Sequence, residues 1–133
     1  MRIHGLLFLA VSALAAAGCQ STMKEVFNAK TEGRSAVYPV TPVKAWEVTG
    51  DILWEATREY PEAHPDHNFM CAEGGMGTDE TLIGVWCEPL EDPAKTRVTV
   101  VIRRKSGVQF ATVLTEEEFH DVFARTTGAK RLP

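Results

Sequence analysis

The stretch "TPVKAWEVTGDILWEATREYP", residues 41–61, decides the fold. Thr41 carries a hydroxyl suited to capping a helix, Pro42 fits the first turn, and Pro61 ends what precedes it. Projected at about 100° per residue, Lys44, Glu47, Asp51, Glu55 and Arg58 fall on one narrow polar strip. Val43, Ala45, Trp46, Ile52, Leu53, Trp54, Ala56 and Tyr60 fill the rest of the circle. So wide an apolar arc predicts a helix running to Tyr60 in a groove, with protein on more than one flank. Gly50 lies within that arc and costs ~1 kcal/mol relative to alanine. A close approach by a neighbouring strand would explain it.

On either side the pattern is β. "SAVYPV" precedes the helix, and after "PEAHPDH", read as a loop, short β-prone runs follow near Asn68–Ala72, Thr81–Cys87, Arg97–Arg103 and Val108–Leu114. In the third run Val98, Val100 and Ile102 alternate with Arg97, Thr99, Val101 and Arg103, the pattern of a sheet with one buried face. "EGGMGTDE" reads as a hairpin loop. Thr115-Glu116-Glu117-Glu118 is a capping box that opens a last helix, with Phe119, Val122 and Phe123 on one face and Gly128 as its C-cap. The fold class is therefore α+β: an antiparallel sheet with helices packed on one face, in the order β-α-β-β-β-β-α. The core aromatics of such a fold are Trp46, Trp54, Trp86, Phe69, Phe110, Phe119 and Phe123, with Trp54 at the edge of the apolar arc. Trp54 is accordingly the candidate contact for a partner or ligand.

The N-terminus addresses the chain. Arg2 is followed by an apolar run from Leu6 to Ala17, interrupted only by Ser12, and then by Gly18 and Cys19. This is the charged, apolar, small-residue order of a secretory signal peptide, too short for the ~20 residues of a membrane span. Ala16-Ala17-Gly18-Cys19 resembles the lipobox of bacterial lipoproteins, with Ala16 where leucine is usual. The resemblance implies lipidation of Cys19, which becomes the new N-terminus and an anchor in the membrane. Gln20 after the cysteine, in place of aspartate, resembles an outer-membrane address facing the periplasm. The domain organisation is then a signal peptide at 1–18, a lipidated N-terminus and tether at 19–34, one domain at 35–128 and a tail at 129–133. The tether would reach on the order of 20 Å.

Loss of residues 1–18 leaves 115 of the 133 residues, enough for one core. It removes Arg2, so the 14 basic residues become 13 against 18 acidic ones, a net charge of −5. That balance argues against nucleic acid, and Arg103-Arg104-Lys105 reads as a solvated hairpin tip. In an exported chain Cys71 and Cys87 are expected to form a disulfide. A hairpin centred near Asp79 would set them opposite one another, and the bond would contribute about 3 kcal/mol.

Chemistry-bearing residues are few. His64-Pro65-Asp66-His67 holds imidazoles with a carboxylate, but no third ligand follows at once, so the segment reads as a solvated loop and no metal or cofactor is expected. Were the disulfide absent, His64, His67 and Cys71 would make a zinc set. Cys71 or Cys87 beside His67 could mimic a thiol–imidazole pair, yet no nucleophile motif or phosphate loop accompanies them. No catalytic residue emerges. The element order resembles the helix-grip domains of small bacterial lipoproteins, some of them scaffold subunits of envelope machines. Tyr38 and Trp46 resemble a Tyr-x-x-x-x-x-x-x-Trp segment of other lipoprotein families. The resemblance implies a non-enzymatic envelope component that binds the membrane through Cys19 and an envelope protein through its domain. The alternative is a carrier of a small apolar ligand in a groove between helix and sheet.

Overall fold

The computed structural model describes residues 22–75, 80–105 and 113–133. Cys19, Phe110 and most of the run expected as a strand at Val108–Leu114 lie outside them. The elements are α1 (Met23–Asn28), β1 (Arg34–Tyr38), α2 (Pro42–Thr57), β2 (Glu62–His64), β3 (Phe69–Gly74), β4 (Thr81–Pro89), β5 (Thr96–Arg104) and α3 (Glu116–Thr127). Single 3-10 turns at Lys30–Glu32 and Pro65–His67 join them. The five strands form one antiparallel sheet in the order β1-β5-β4-β3-β2. The α+β class, the antiparallel sheet and the two long helices agree with the sequence reading. Val113 and Leu114, the described end of the fourth run, are not in a strand.

The helix ends form as their sequences dictate. The Lys44 N–H donates to Thr41 Oγ1 at 3.3 Å and the Glu118 N–H to Thr115 Oγ1 at 3.1 Å, each satisfying a donor the helix cannot use internally. Gly128 ends α3 with φ 70°. α2 stops at Thr57 rather than Tyr60, with Arg58 in the left-handed conformation at φ 59°. Its buried stripe is Ala45, Val48, Thr49, Ile52, Leu53 and Thr57, narrower than the apolar arc. Val43 is 70% and Tyr60 87% exposed, so the outer parts of that arc face solvent. Gly50 admits no strand backbone. A Cβ there would meet only the end of the Met70 side chain, Sδ at 3.8 Å and Cε at 3.9 Å, an ordinary contact.

α2 and α3 cover one face of the sheet, where Met70, Ala72, Ile83, Val85, Val98, Val100 and Ile102 pack against Ile52, Leu53, Phe119 and Phe123. The second face is covered too, which corrects the expectation of helices on one face only. Val26 and Ala29 lie there against Phe69, Cys71, Leu82, Trp86 and Val101. That is why "TLIGVWC" in β4 is buried at seven consecutive positions rather than at every other one. Gly84 makes room: a Cβ there would be 2.6 Å from Val26 Cγ1. Part of the segment expected as a tether is thus a docked helix, whose side chain at Val26 is fully buried. Phe69 and Trp86 belong to this second core, 4.6 Å apart between ring centroids, not to the one they were expected to share with Phe119 and Phe123.

The C-terminal residues also dock. Leu132 bridges β1, its N–H donating to Val37 O at 2.7 Å, and the Arg131 guanidinium donates to Glu117 at 2.7 Å. Beneath this strap lies a polar group that the sequence reading missed. His120 is fully buried, with Nε2 2.9 Å from the Arg34 carbonyl oxygen and Nδ1 2.7 Å from Tyr38 Oη. The carbonyl can only accept, so Nε2 carries the proton and Nδ1 accepts from the tyrosine. Burial lowers the His120 pKa, opposed by the bond to Arg34.

Candidate functional site

The short edge strand β2 brings dissimilar ligating groups together. Glu62 pairs with Cys71 and His64 with Phe69 across the β2–β3 ladder. Strand alternation sends Glu62 and His64 to the same side, and Cys71, directly opposite Glu62, shares it. This is the face that α1 covers. A carboxylate oxygen, an imidazole nitrogen and the thiol sulfur lie within 4.8 Å of one another. His64 Nε2 is 3.0 Å from Glu62 Oε1. Cys71 is buried, His64 half-buried and Glu62 exposed, so the group runs from core to solvent over one strand pair.

Open space adjoins it on both sides. A cavity of about 440 Å³ is lined by Met23, Glu59, Tyr60, Glu62, Cys71 and Glu80 among others. A second of about 280 Å³ is lined by Met23, Lys24, Phe27, His64, His67 and Phe69. Met23, in the first turn of α1, borders both. Around the larger cavity Glu73 and Glu80 both pair with Lys105. Burial, and then the charge of Glu62, push the Cys71 thiol up to about 11. It is therefore protonated at neutral pH and a weak nucleophile.

The expected residues are redistributed. His67 is exposed and stands edge-on to Phe27, 5.3 Å between centroids, instead of joining His64 and Cys71. Glu62 takes its place. "EAH" at 62–64 held that signal, since residues two apart share a face if the segment is a strand, but prolines at 61 and 65 made it read as a loop.

Cys71 and Cys87 are free thiols, which corrects the expected disulfide. Gly74 pairs with Thr81, so the hairpin is centred between positions 77 and 78 rather than at Asp79. Cys71 then faces Gly84, while the Cys87 N–H donates to Asn68 O, three residues away along the strand. An offset of three also reverses the side: Cys71 lies in the α1 core and Cys87 in the core under α2. Cys87 Sγ sits 3.3 Å from Thr49 Oγ1, and burial pushes this thiol up to about 11 as well, against the pull of the Thr49 hydrogen bond. A sheet backbone separates the two sulfurs.

Trp54 is half-buried and stacks on Tyr60, 4.8 Å between centroids. The pair forms an aromatic ledge at the C-terminal end of α2, and Tyr60 carries it to the rim of the larger cavity. A separate groove of about 350 Å³ runs between α2 and α3, lined by Ile52, Ala56, Val113, Leu114 and Val122, with Asp51 and Glu55 on its border. The basic cluster is held in ion pairs, Arg103 with Glu116 at 3.7 Å and Lys105 with Glu80 at 3.2 Å. Compared with family models, with curated proteins and with solved structures, the chain returns no match.

Proposed function

We propose that this chain is a non-enzymatic lipoprotein of the cell envelope, held by lipid on Cys19 and acting as a protein-interaction or structural component. The observation that carries the reading is Ala16-Ala17-Gly18-Cys19 behind an apolar run, three residues ahead of the Thr22 that caps α1. Two or three acyl chains, at ~0.8 kcal/mol per buried methylene, hold such a protein firmly to a bilayer. Three residues span at most ~11 Å, so α1 and the cavities beside Met23 would lie against the headgroups. The tether of ~20 Å expected from composition gives way to a short leash. Half-buried Trp54, with exposed Tyr60 stacked on it, is the contact proposed for an envelope partner, because tryptophan and tyrosine are over-represented at binding hot spots.

The experiment is metabolic labelling with palmitate followed by membrane fractionation. The wild-type chain should take up label and sediment with membranes, and Cys19→Ala should do neither. Label retained in the variant, or a wild-type chain released as soluble protein, overturns the anchor.

A second reading, the carrier of a small apolar ligand, is supported by the groove between α2 and α3. It lies between two helices rather than between helix and sheet. Native mass spectrometry of residues 20–133, which lack Cys19 and its lipid, exported and gently purified, separates the two readings. A bare-chain mass favours the interaction component, and an added lipid mass the carrier.

A further inference from the structure

We propose that Glu62, His64 and Cys71 form a zinc site at the β2 edge of the sheet, with a fourth coordination position open to the adjoining cavity. The site belongs to the folded domain and does not depend on Cys19. Three chemically different ligands converge there from one strand pair. Thiolate, imidazole and carboxylate are the ligands zinc takes in tetrahedral sites, and three protein ligands with one open position is a recurrent arrangement. Zinc bonds of ~2.0–2.3 Å in a tetrahedron put ligand atoms about 3.3–3.8 Å apart. The observed separations are all within 4.8 Å, and small rotations bring them to that spacing, opening the 3.0 Å contact between His64 and Glu62. Glu62 and His64 are free to make them because neither is fully buried, while Cys71 is fixed in the core.

The surroundings favour a cation of this softness. The carboxylate of Glu59 lines the same cavity as Glu62 and Cys71. Met23 offers a thioether at the junction of both cavities, a ligand type that suits zinc or copper(I) but not magnesium or calcium. The carboxylate in the set weights the choice towards zinc, since soft copper(I) prefers sulfur and nitrogen throughout. On binding, the metal replaces the proton of the Cys71 thiol, which passes to solvent, and it would lie between the His64 and Glu62 groups that now contact each other. The second cysteine takes no part, being on the other face of the sheet.

The test uses the full chain carrying Cys19→Ser, in detergent and under reducing conditions, so that Cys71 and Cys87 are its only thiols. Cobalt(II) is titrated in as a spectroscopic stand-in for zinc, and zinc is then added as competitor. One equivalent of cobalt should raise a thiolate-to-cobalt charge-transfer band, which one equivalent of zinc abolishes. Cys87→Ser should leave the band in place and Cys71→Ser should remove it. His64→Gln should weaken zinc binding by at least the ~10–100-fold that losing even an outer-shell partner costs a zinc site. Circular dichroism checks each variant's fold. If Cys71→Ser fails to fold, His64→Gln decides alone, because a half-exposed edge residue can be changed without touching the core. Absence of a thiolate band, its survival in Cys71→Ser, or unchanged zinc affinity in His64→Gln overturns the proposal.

Discussion

Gly84→Ala tests whether α1 is an integral part of the domain. The new Cβ would lie 2.6 Å from Val26 Cγ1 and 2.8 Å from Phe69 Cε1, both closer than real Cβ contacts come. β4 cannot retreat, since its ladders to β3 and β5 fix the backbone on both sides. Either the cluster absorbs the methyl, at the ~1–3 kcal/mol typical of overpacking, or α1 lifts. Lifting forfeits the burial of Val26, worth ~1.5–3 kcal/mol, and uncovers Trp86. The two routes cost about the same. Alanine's stiffer unfolded chain returns ~0.4–1 kcal/mol, so the net loss should be about 1–2 kcal/mol, or roughly 5–15 °C in Tm. Urea and thermal melts by circular dichroism measure it. Limited trypsin digestion separates the routes, because lifting α1 exposes Lys24 and Lys30 to cleavage. An unchanged Tm would refute the docking of Val26 against Gly84.

Three further outcomes are expected. Gly50→Ala should stabilise the domain by about 0.5–1 kcal/mol, because helix propensity rises and the added methyl meets only Met70 at ordinary contact distance; a lower Tm would mean that this space is filled. The buried neutral His120 should make stability fall on acidification. Its folded pKa lies below the ordinary ~6.5, so under that pH the unfolded chain binds a proton the folded chain refuses, and stability declines as pH falls from 7 towards the depressed value. His120→Gln should flatten that slope in urea melts between pH 7 and 5, and equal slopes in both proteins would sink the assignment. Reducing agent should leave the Tm unchanged, since the free thiols lie on opposite faces; a fall would bring back the disulfide and the other hairpin register.

What could be read from the sequence followed local chemistry. Thr41, Pro42, Thr115 and Gly128 act through groups within a few residues of themselves: Thr41, Thr115 and Gly128 cap their helices and Pro42 opens the first turn, as their residue types predict. The alternation in β5 likewise puts Val98, Val100 and Ile102 into the main core. What stayed hidden depends on distant partners. β2 is three residues between prolines, made a strand only by pairing with β3. α1 is one short turn or two in a polar segment, and its small apolar group of Met23, Val26 and Phe27 does not by itself say that Val26 will be buried. The signal for it sat in β4, where a lone glycine inside an apolar strand marks close approach by another element. Register was illegible because "EGGMGTDE" suits turns at several positions, and an error of one and a half residues in the hairpin centre moves Cys71 from Cys87 to Gly84. The Glu62–His64–Cys71 group could not be assembled without that register.

The placement of α1 also sets how the molecule responds to force. A pull on the N-terminal end of the described chain reaches α1 first, a helix of six residues seated chiefly by Val26 in the hollow at Gly84. The sheet behind it is joined strand by strand through β4, and its other face is clasped by α2 and α3. α1 should therefore peel away while the sheet stays whole, and residues 22–33, once drawn straight, would extend the molecule's reach by up to ~40 Å. The segment would then work as a mechanical fuse, yielding length under load before the domain yields structure.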